Sequence, residues 1–213
     1  MVEKIKLDDA YSLKTPEDSI KLYKKWAETY DKDFALNSDY LSPQKISNFF
    51  LKYSKVSDTP ILDLGAGTGL VGSFLNIKGK KEIIGIDISP EMLHQAKLKK
   101  CYSSLIEADV TKKIPLKENY LGAVVSAGTF THGHIGPDVF DELLRITRPG
   151  GLFVLSINSK FFIKAGFKKK FSKIKNIITP PLFEKFSAHG KNINKTYNEV
   201  TIFACIFRKK LIV

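Results

Sequence analysis

Ile61-Leu-Asp63-Leu-Gly65-Ala-Gly67-Thr-Gly69 is a four-residue apolar run carrying one acid, followed by glycine at alternate positions. Leu70, Val71, Phe74 and Leu75 come next at helical spacing, so the stretch reads as strand, tight turn and helix. In open α/β sheets that turn lies at the carboxyl edge, where ligands bind. Gly65, Gly67 and Gly69 free the backbone to turn sharply and to approach a ligand without Cβ atoms in the way. Ala66 lies between the first two. N–H groups at the helix start can receive a carboxylate, and Asp63 can accept hydrogen bonds from an amino group, directly or through water.

Outward from this turn, short apolar runs alternate with polar helical stretches. Strands are expected over residues 61–64, 82–87, 102–107, 121–127, 152–157 and 200–208. Ser89-Pro90 caps one intervening helix. Another, between Pro137 and Thr147, turns Phe140, Leu143, Leu144 and Thr147 to one side and stops at Pro149-Gly150-Gly151. Residues 161–174 are compatible with a helix, and 177–187 are interrupted by Pro180-Pro181. Upstream, Thr15-Pro16-Glu17-Asp18 has the form of a helix start, with Ile20, Tyr23, Ala27 and Tyr30 on one face and Leu22 and Trp26 on a second strip. That helix is expected to end near Asp31. Ser42-Pro43 opens another, with Ile46, Phe49, Phe50 and Tyr53 inward. The alternation predicts an α/β fold around a parallel sheet. With 213 residues, a single domain is expected. Residues 1–58 form its helical cap and acceptor-side helices, and residues 59–213 its Rossmann-like core.

Two further acids stand at strand ends. Asp87 follows Gly67 by twenty residues, where a carboxylate can accept both ribose hydroxyls while Ile88 lies against an adenine face. Asp109 can accept from an adenine amino group, with Val110 alongside the ring. Each alone reads as a cap or a turn residue. Together, in order, they describe a nucleoside with an amino acid tail.

Leu62-Asp-Leu-Gly-Ala-Gly-Thr-Gly69, Gly85-Ile-Asp-Ile-Ser-Pro90, Ala108-Asp109 and Arg148-Pro-Gly-Gly151 resemble the class I methyltransferases over roughly residues 15–160. Trp26-Ala-Glu-Thr-Tyr-Asp31 and the tract from Ser126 to Gly136 further resemble small methyltransferase-like proteins related to the Williams-Beuren-region methyltransferase. The resemblance implies a three-layer αβα sandwich whose seven-stranded sheet is mostly parallel, with the last strand antiparallel. It implies S-adenosylmethionine as cofactor and S-adenosylhomocysteine as product. Tyr30 then helps to cover the cofactor, Met92 joins its binding set, and Ser126, Ala127 and Gly128 form the floor under its methionine part. Tyr23, Trp26, Thr129, Phe130 and His132 fall near the acceptor. The competing enzyme reading is a nucleotide-linked oxidoreductase, because Gly67-Thr-Gly-Leu-Val-Gly72 fits G-x-G-x-x-G. In that fingerprint the first glycine directly follows the strand, a place that Gly65 takes.

Methyl transfer from a sulfonium mainly needs alignment and exclusion of water. A protonated acceptor also needs a base, and His132 and His134 are the candidates. The alternatives are that they orient substrate or simply bond to backbone. His132-Gly-His134 lacks further ligands nearby, so no metal is expected. The tract after the fourth strand lacks the Asn/Asp-Pro-Pro-Tyr/Phe and Pro-Cys motifs of two nucleic-acid methylating chemistries.

Net charge is +12, and residues 160–213 hold thirteen Lys or Arg against Glu184 and Glu199. Such a region can attract nucleic acid, yet it carries no recognised binding motif, and solvated lysine faces are the simpler reading. Cys101 and Cys205 have no metal-type spacing and suit a reducing compartment. No segment approaches the length of a membrane-spanning helix. The expectation is a cytoplasmic enzyme, monomeric or homodimeric, acting on a small molecule at O, N or S. An RNA or protein acceptor, or a non-catalytic S-adenosylmethionine-binding module, stands as the alternative.

Overall fold

The computed structural model describes residues 9, 13, 16–190 and 200–211. Seven strands form one sheet: β1 (Ile61–Leu64), β2 (Ile83–Asp87), β3 (Ser104–Glu107), β4 (Leu121–Phe130), β5 (Thr147–Asn158), β6 (Leu182–Ser187) and β7 (Thr201–Arg208). Their spatial order is β3-β2-β1-β4-β5-β7-β6. The first five run parallel, and β7 is antiparallel to both β5 and β6. The order reverses beside β1, which opens a crevice at the carboxyl ends of β1 and β4.

Alternation along each strand sorts the core into two layers. Leu62, Leu64, Ile84, Ile86, Val124 and Phe153 pack against α5 (Phe140–Ile146) and α7 (Phe167–Ile174). Ile61, Ile83, Val125 and Val154 pack against α2 (Ser42–Tyr53) and α3 (Leu70–Ile77). The sheet is therefore covered on both faces, as a mostly parallel sheet requires. The remaining helices are α1 (Pro16–Trp26), α4 (Pro90–Leu98) and α6 (Ser159–Lys164).

Several boundaries differ from the sequence reading. The helix expected to reach Asp31 ends at Trp26, and a π-helical turn, Asp31–Leu36, follows. Trp26, on the second strip, is buried at 2% exposure. The Thr15 cap lies outside the described residues. The helix expected over 161–174 is split at Gly166, whose φ of +83° breaks the turn between α6 and α7. Tyr102 lies before β3 rather than inside it. β6 was not expected: Pro180-Pro181 precedes it, and as an edge strand it leaves Leu182 and Phe183 partly exposed, with no buried run to mark it.

Candidate active site

The crevice is lined by the loops after β1, β2, β3 and β4 and roofed by α1 and the segment behind it. Gly65 and Gly67 both have positive φ, +68° and +53°. A Cβ at Gly65 would overlap Thr129 Oγ1, so close packing against β4 demands glycine there. A Cβ at Gly67 would meet no atom within 4 Å. Gly67 lines the crevice, and the space in front of it is open.

Asp87 ties two strand-end loops together. Its Oδ2 accepts the Gly67 N–H at 2.8 Å and its Oδ1 the Ser89 N–H at 2.9 Å. Burial pushes its carboxyl up from the ordinary value, against the pull of those amides. Asp109 is held by its own loop: Oδ1 accepts from the Thr111 hydroxyl at 2.6 Å and amide at 2.9 Å, and Lys112 Nζ lies 3.4 Å from Oδ2. Partial burial opposes ionisation of Asp109, but Thr111 and Lys112 bring its carboxyl below the usual range.

The helical segments before β1 supply a wall of aromatic rings. Tyr23 stacks on Trp26 at 6.4 Å, Trp26 meets Tyr30 edge-on at 5.1 Å, and Tyr30 packs on Phe34 at 4.9 Å. Phe34 in turn touches Tyr40, at 5.0 Å between centroids. Asp31 latches this wall to the glycine loop: Oδ1 accepts the Thr68 hydroxyl at 2.5 Å, and Lys99 Nζ bridges Asp31 Oδ2 and the Thr68 carbonyl, both at 2.6 Å. Opposite, His134 Nδ1 lies 3.1 Å from the His132 carbonyl and Nε2 lies 3.0 Å from the Tyr23 hydroxyl. A carbonyl only accepts, so Nδ1 carries the proton and Tyr23 donates to Nε2. Burial lowers the His134 pKa, which keeps the ring neutral at neutral pH.

Of the cofactor residues expected from sequence, Tyr30, Gly65, Ala66, Gly67, Asp87, Ile88, Met92, Asp109 and Val110 line the crevice. So do the acceptor candidates Tyr23, Trp26, Thr129 and Phe130, and so does His134. Four expected residues do not. Asp63 alternates with Leu62 and Leu64, so it faces the α3 layer, fully buried, and accepts the Tyr102 hydroxyl at 2.6 Å. Ser126 is likewise buried and donates to the Leu64 carbonyl at 2.8 Å. Gly69 is the left-handed N-cap of α3, crowded by Ala96 and Tyr102. His132 packs its ring on Phe161 at 5.2 Å. The loop amides of Ala66, Gly67 and Gly69 donate to Ile86 O, Asp87 and Ala66 O, ahead of the helix start at Leu70. Phe34 and Tyr40 line the crevice without having been singled out. Their signal was an aromatic every four to six residues after Trp26, past the point where the helix was expected to stop.

Comparisons with known proteins agree with this geometry. Residues 62–155 match the family model described as a methyltransferase domain. Human methyltransferase-like protein 27 is 29% identical over 150 residues, 69% of this chain and 60% of the human protein. A tRNA U34 carboxymethyltransferase of Cellvibrio japonicus is 32% identical over 133 residues, 59% of this chain and 41% of that protein. The chain thus spans less than two thirds of the length of these relatives. Among solved structures, a TehB-like S-adenosylmethionine-dependent methyltransferase from Corynebacterium glutamicum superposes with a TM-score of 0.60 at 18% identity, covering 92% of this chain and all of the other. That likeness is one of fold. Residues 62–155 thus match a methyltransferase domain, the related sequences are methyltransferases, and the sheet with its antiparallel β7 has the fold of solved class I S-adenosylmethionine-dependent methyltransferases.

Proposed function

We propose that the protein transfers the methyl group of S-adenosylmethionine to an O, N or S atom of a small-molecule acceptor. The observation that carries this reading is the crevice itself: strand-end acids on one side and an aromatic wall latched over the other, which together make a walled, partly open pocket. A duplex or a folded protein needs an open approach to its target atom, which such a wall obstructs.

The residues present fit the cofactor. Open space in front of Gly67, where any side chain would intrude, suits close approach of a ligand to backbone. In this reading Asp87 takes the ribose hydroxyls, Ile88, Met92 and Val110 flank the adenine, and Asp109 takes its amino group. Tyr30 covers the pocket from the wall. Asp63, Gly69 and Ser126 support the loop from behind, and residues 1–58 act as the cap of the same domain as residues 59–213. When bound, S-adenosylmethionine supplies an electrophilic methyl group. The wall of Tyr23, Trp26 and Tyr30 excludes water and orients the acceptor, and positioning is where much of the rate comes from. A proton on the acceptor leaves to Nε2 of His134, either after the Tyr23 hydroxyl is displaced or through it. S-adenosylhomocysteine is the second product.

Incubation with labelled S-adenosylmethionine and separate pools of metabolites, RNA and protein tests the assignment. Label is expected in the metabolite pool. Label in RNA would favour the other reading, which draws on the seven lysines and no acid of residues 160–175 and on the tRNA-modifying relative. Tight cofactor binding with no labelled product in any pool would leave a non-catalytic binding module.

A further inference from the structure

Asp63 is a fully buried acid that the crevice does not use. Its Oδ2 takes the Tyr102 hydroxyl at 2.6 Å, and its Oδ1 has no well-formed hydrogen bond among the described residues. An apolar residue would pack at such a place at lower cost than a half-satisfied carboxylate. Burial pushes the Asp63 carboxyl up to about 7, with the Tyr102 bond pulling it down and nearby Asp87 pushing it up. Something other than packing therefore accounts for this acid.

Tyr102 reaches Asp63 through positions that carry no Cβ. At Gly72, in the first turn of α3, a Cβ would overlap the ring at Cζ. At Gly69 it would lie 2.9 Å from Cε2, and at Gly85, in β2, 3.0 Å from Cε1. The ring alone crowds Gly72, the third glycine of the Gly67-to-Gly72 spacing, and it shares the crowding with Ala96 at Gly69 and with Leu105 at Gly85. The ring backs the loop from the side opposite the crevice, and the carboxylate lies beneath a helix start whose N-cap, Gly69, offers no side chain. Burial outweighs the pull of the Gly72 amide, in the first turn of α3, on that carboxylate.

We infer that Tyr102, acting through Asp63, is a positioning residue that holds the loop from Gly65 to Gly69 and the first turn of α3 in the shape that receives the cofactor. The inference rests on the S-adenosylmethionine reading above for what the loop receives. The titratable groups facing Asp63 are Tyr102 and Cys101, from the turn before β3, and Asp87 at the end of β2. Ser73 of α3 holds the Cys101 sulfur at 3.7 Å.

Tyr102→Phe keeps the ring and removes the hydroxyl, and Asp63→Asn keeps an acceptor oxygen and removes the charge. Both are compared with the unaltered protein in calorimetric titrations with S-adenosylhomocysteine across roughly pH 6 to 9, and in hydrogen exchange of the unliganded chain. Tyr102→Phe is expected to weaken binding on the order of tenfold and to speed exchange at the amides of residues 68–73 by a similar factor. Exchange in β4 and β5 is expected to stay unchanged. Binding by the unaltered protein is expected to inflect near pH 7, the inflection to move upward in Tyr102→Phe and to vanish in Asp63→Asn. Tyr102→Phe with unaltered affinity, exchange and pH profile overturns the inference while leaving the cofactor reading intact. Should Tyr102→Phe not fold, an inflection that persists in Asp63→Asn overturns it alone. Faster loop exchange in Tyr102→Phe, in a protein that binds no S-adenosylhomocysteine in any form, upholds the positioning device and removes the cofactor reading.

Discussion

Gly67→Ala separates a glycine kept for a ligand from one kept for packing. The φ of +53° is the left-handed region, where an L-residue costs ~1–2 kcal/mol. Loss of backbone freedom in the unfolded chain returns ~0.4–1 kcal/mol of this. No atom lies within 4 Å of the added Cβ, so no packing penalty joins the sum. The net destabilisation is about 1 kcal/mol, a fall of roughly 2–4 °C in Tm for a chain of this size. On the proposed function, the methyl group enters space that the cofactor needs. Overpacking a fitted surface costs ~1–3 kcal/mol, which weakens binding by roughly five- to two-hundredfold. Gly65→Ala is the contrast, because its Cβ overlaps Thr129 Oγ1 and the fold itself suffers. Thermal melts with and without S-adenosylhomocysteine, together with calorimetric titration, read both effects. Gly67→Ala that binds like the unaltered protein would refute the reasoning, and so would Gly67→Ala that unfolds as readily as Gly65→Ala.

Asp87→Ala leaves the Gly67 and Ser89 amides without their acceptor, so S-adenosylhomocysteine affinity is expected to fall by roughly ten- to a hundredfold, with a loss of ~1–3 kcal/mol in stability. Asp87→Asn, which keeps an acceptor oxygen, falls between the two in the same titration. The raised Asp63 carboxyl means that the folded state holds its proton more tightly than the unfolded state. Its stabilising contribution is full below the ordinary value of 3.8 and is lost as pH rises through about 7, with a slope of up to about 1.4 kcal/mol per pH unit. Urea midpoints of Asp63→Asn, measured over that range, should lose this slope, and curves parallel to those of the unaltered protein would contradict it. Because burial lowers the His134 pKa below 6.5, turnover of a proton-bearing acceptor should hold at neutral pH and decline only in acid. His134→Gln should remove that decline and lower kcat by ~10²–10⁴-fold, read from initial rates against pH.

β1, β2 and β4 were legible because each opens on a buried apolar run, and they begin within one residue of the expected places. β6 was not, because an edge strand following two prolines has no buried face to give it a period. The acids Asp87 and Asp109 were legible at strand ends, whereas the role first given to Asp63 ignored strand alternation: two leucines flank it, and they take the opposite face. Tyr102 was read as part of a strand, since nothing local distinguishes a tyrosine that starts a strand from one that reaches across three glycines. The far half of the aromatic wall escaped for a related reason. Phe34 and Tyr40 follow a helix end, and only the fold brings them back over the crevice.

A calorimetric titration of the intact chain with S-adenosylmethionine, run beside the same titration with a nicotinamide dinucleotide, tests the central claim most directly. Saturable binding of S-adenosylmethionine with no heat from the dinucleotide is the predicted result. Binding of the dinucleotide alone, weakened by Gly67→Ala, would place a different nucleotide in this crevice and contradict the account.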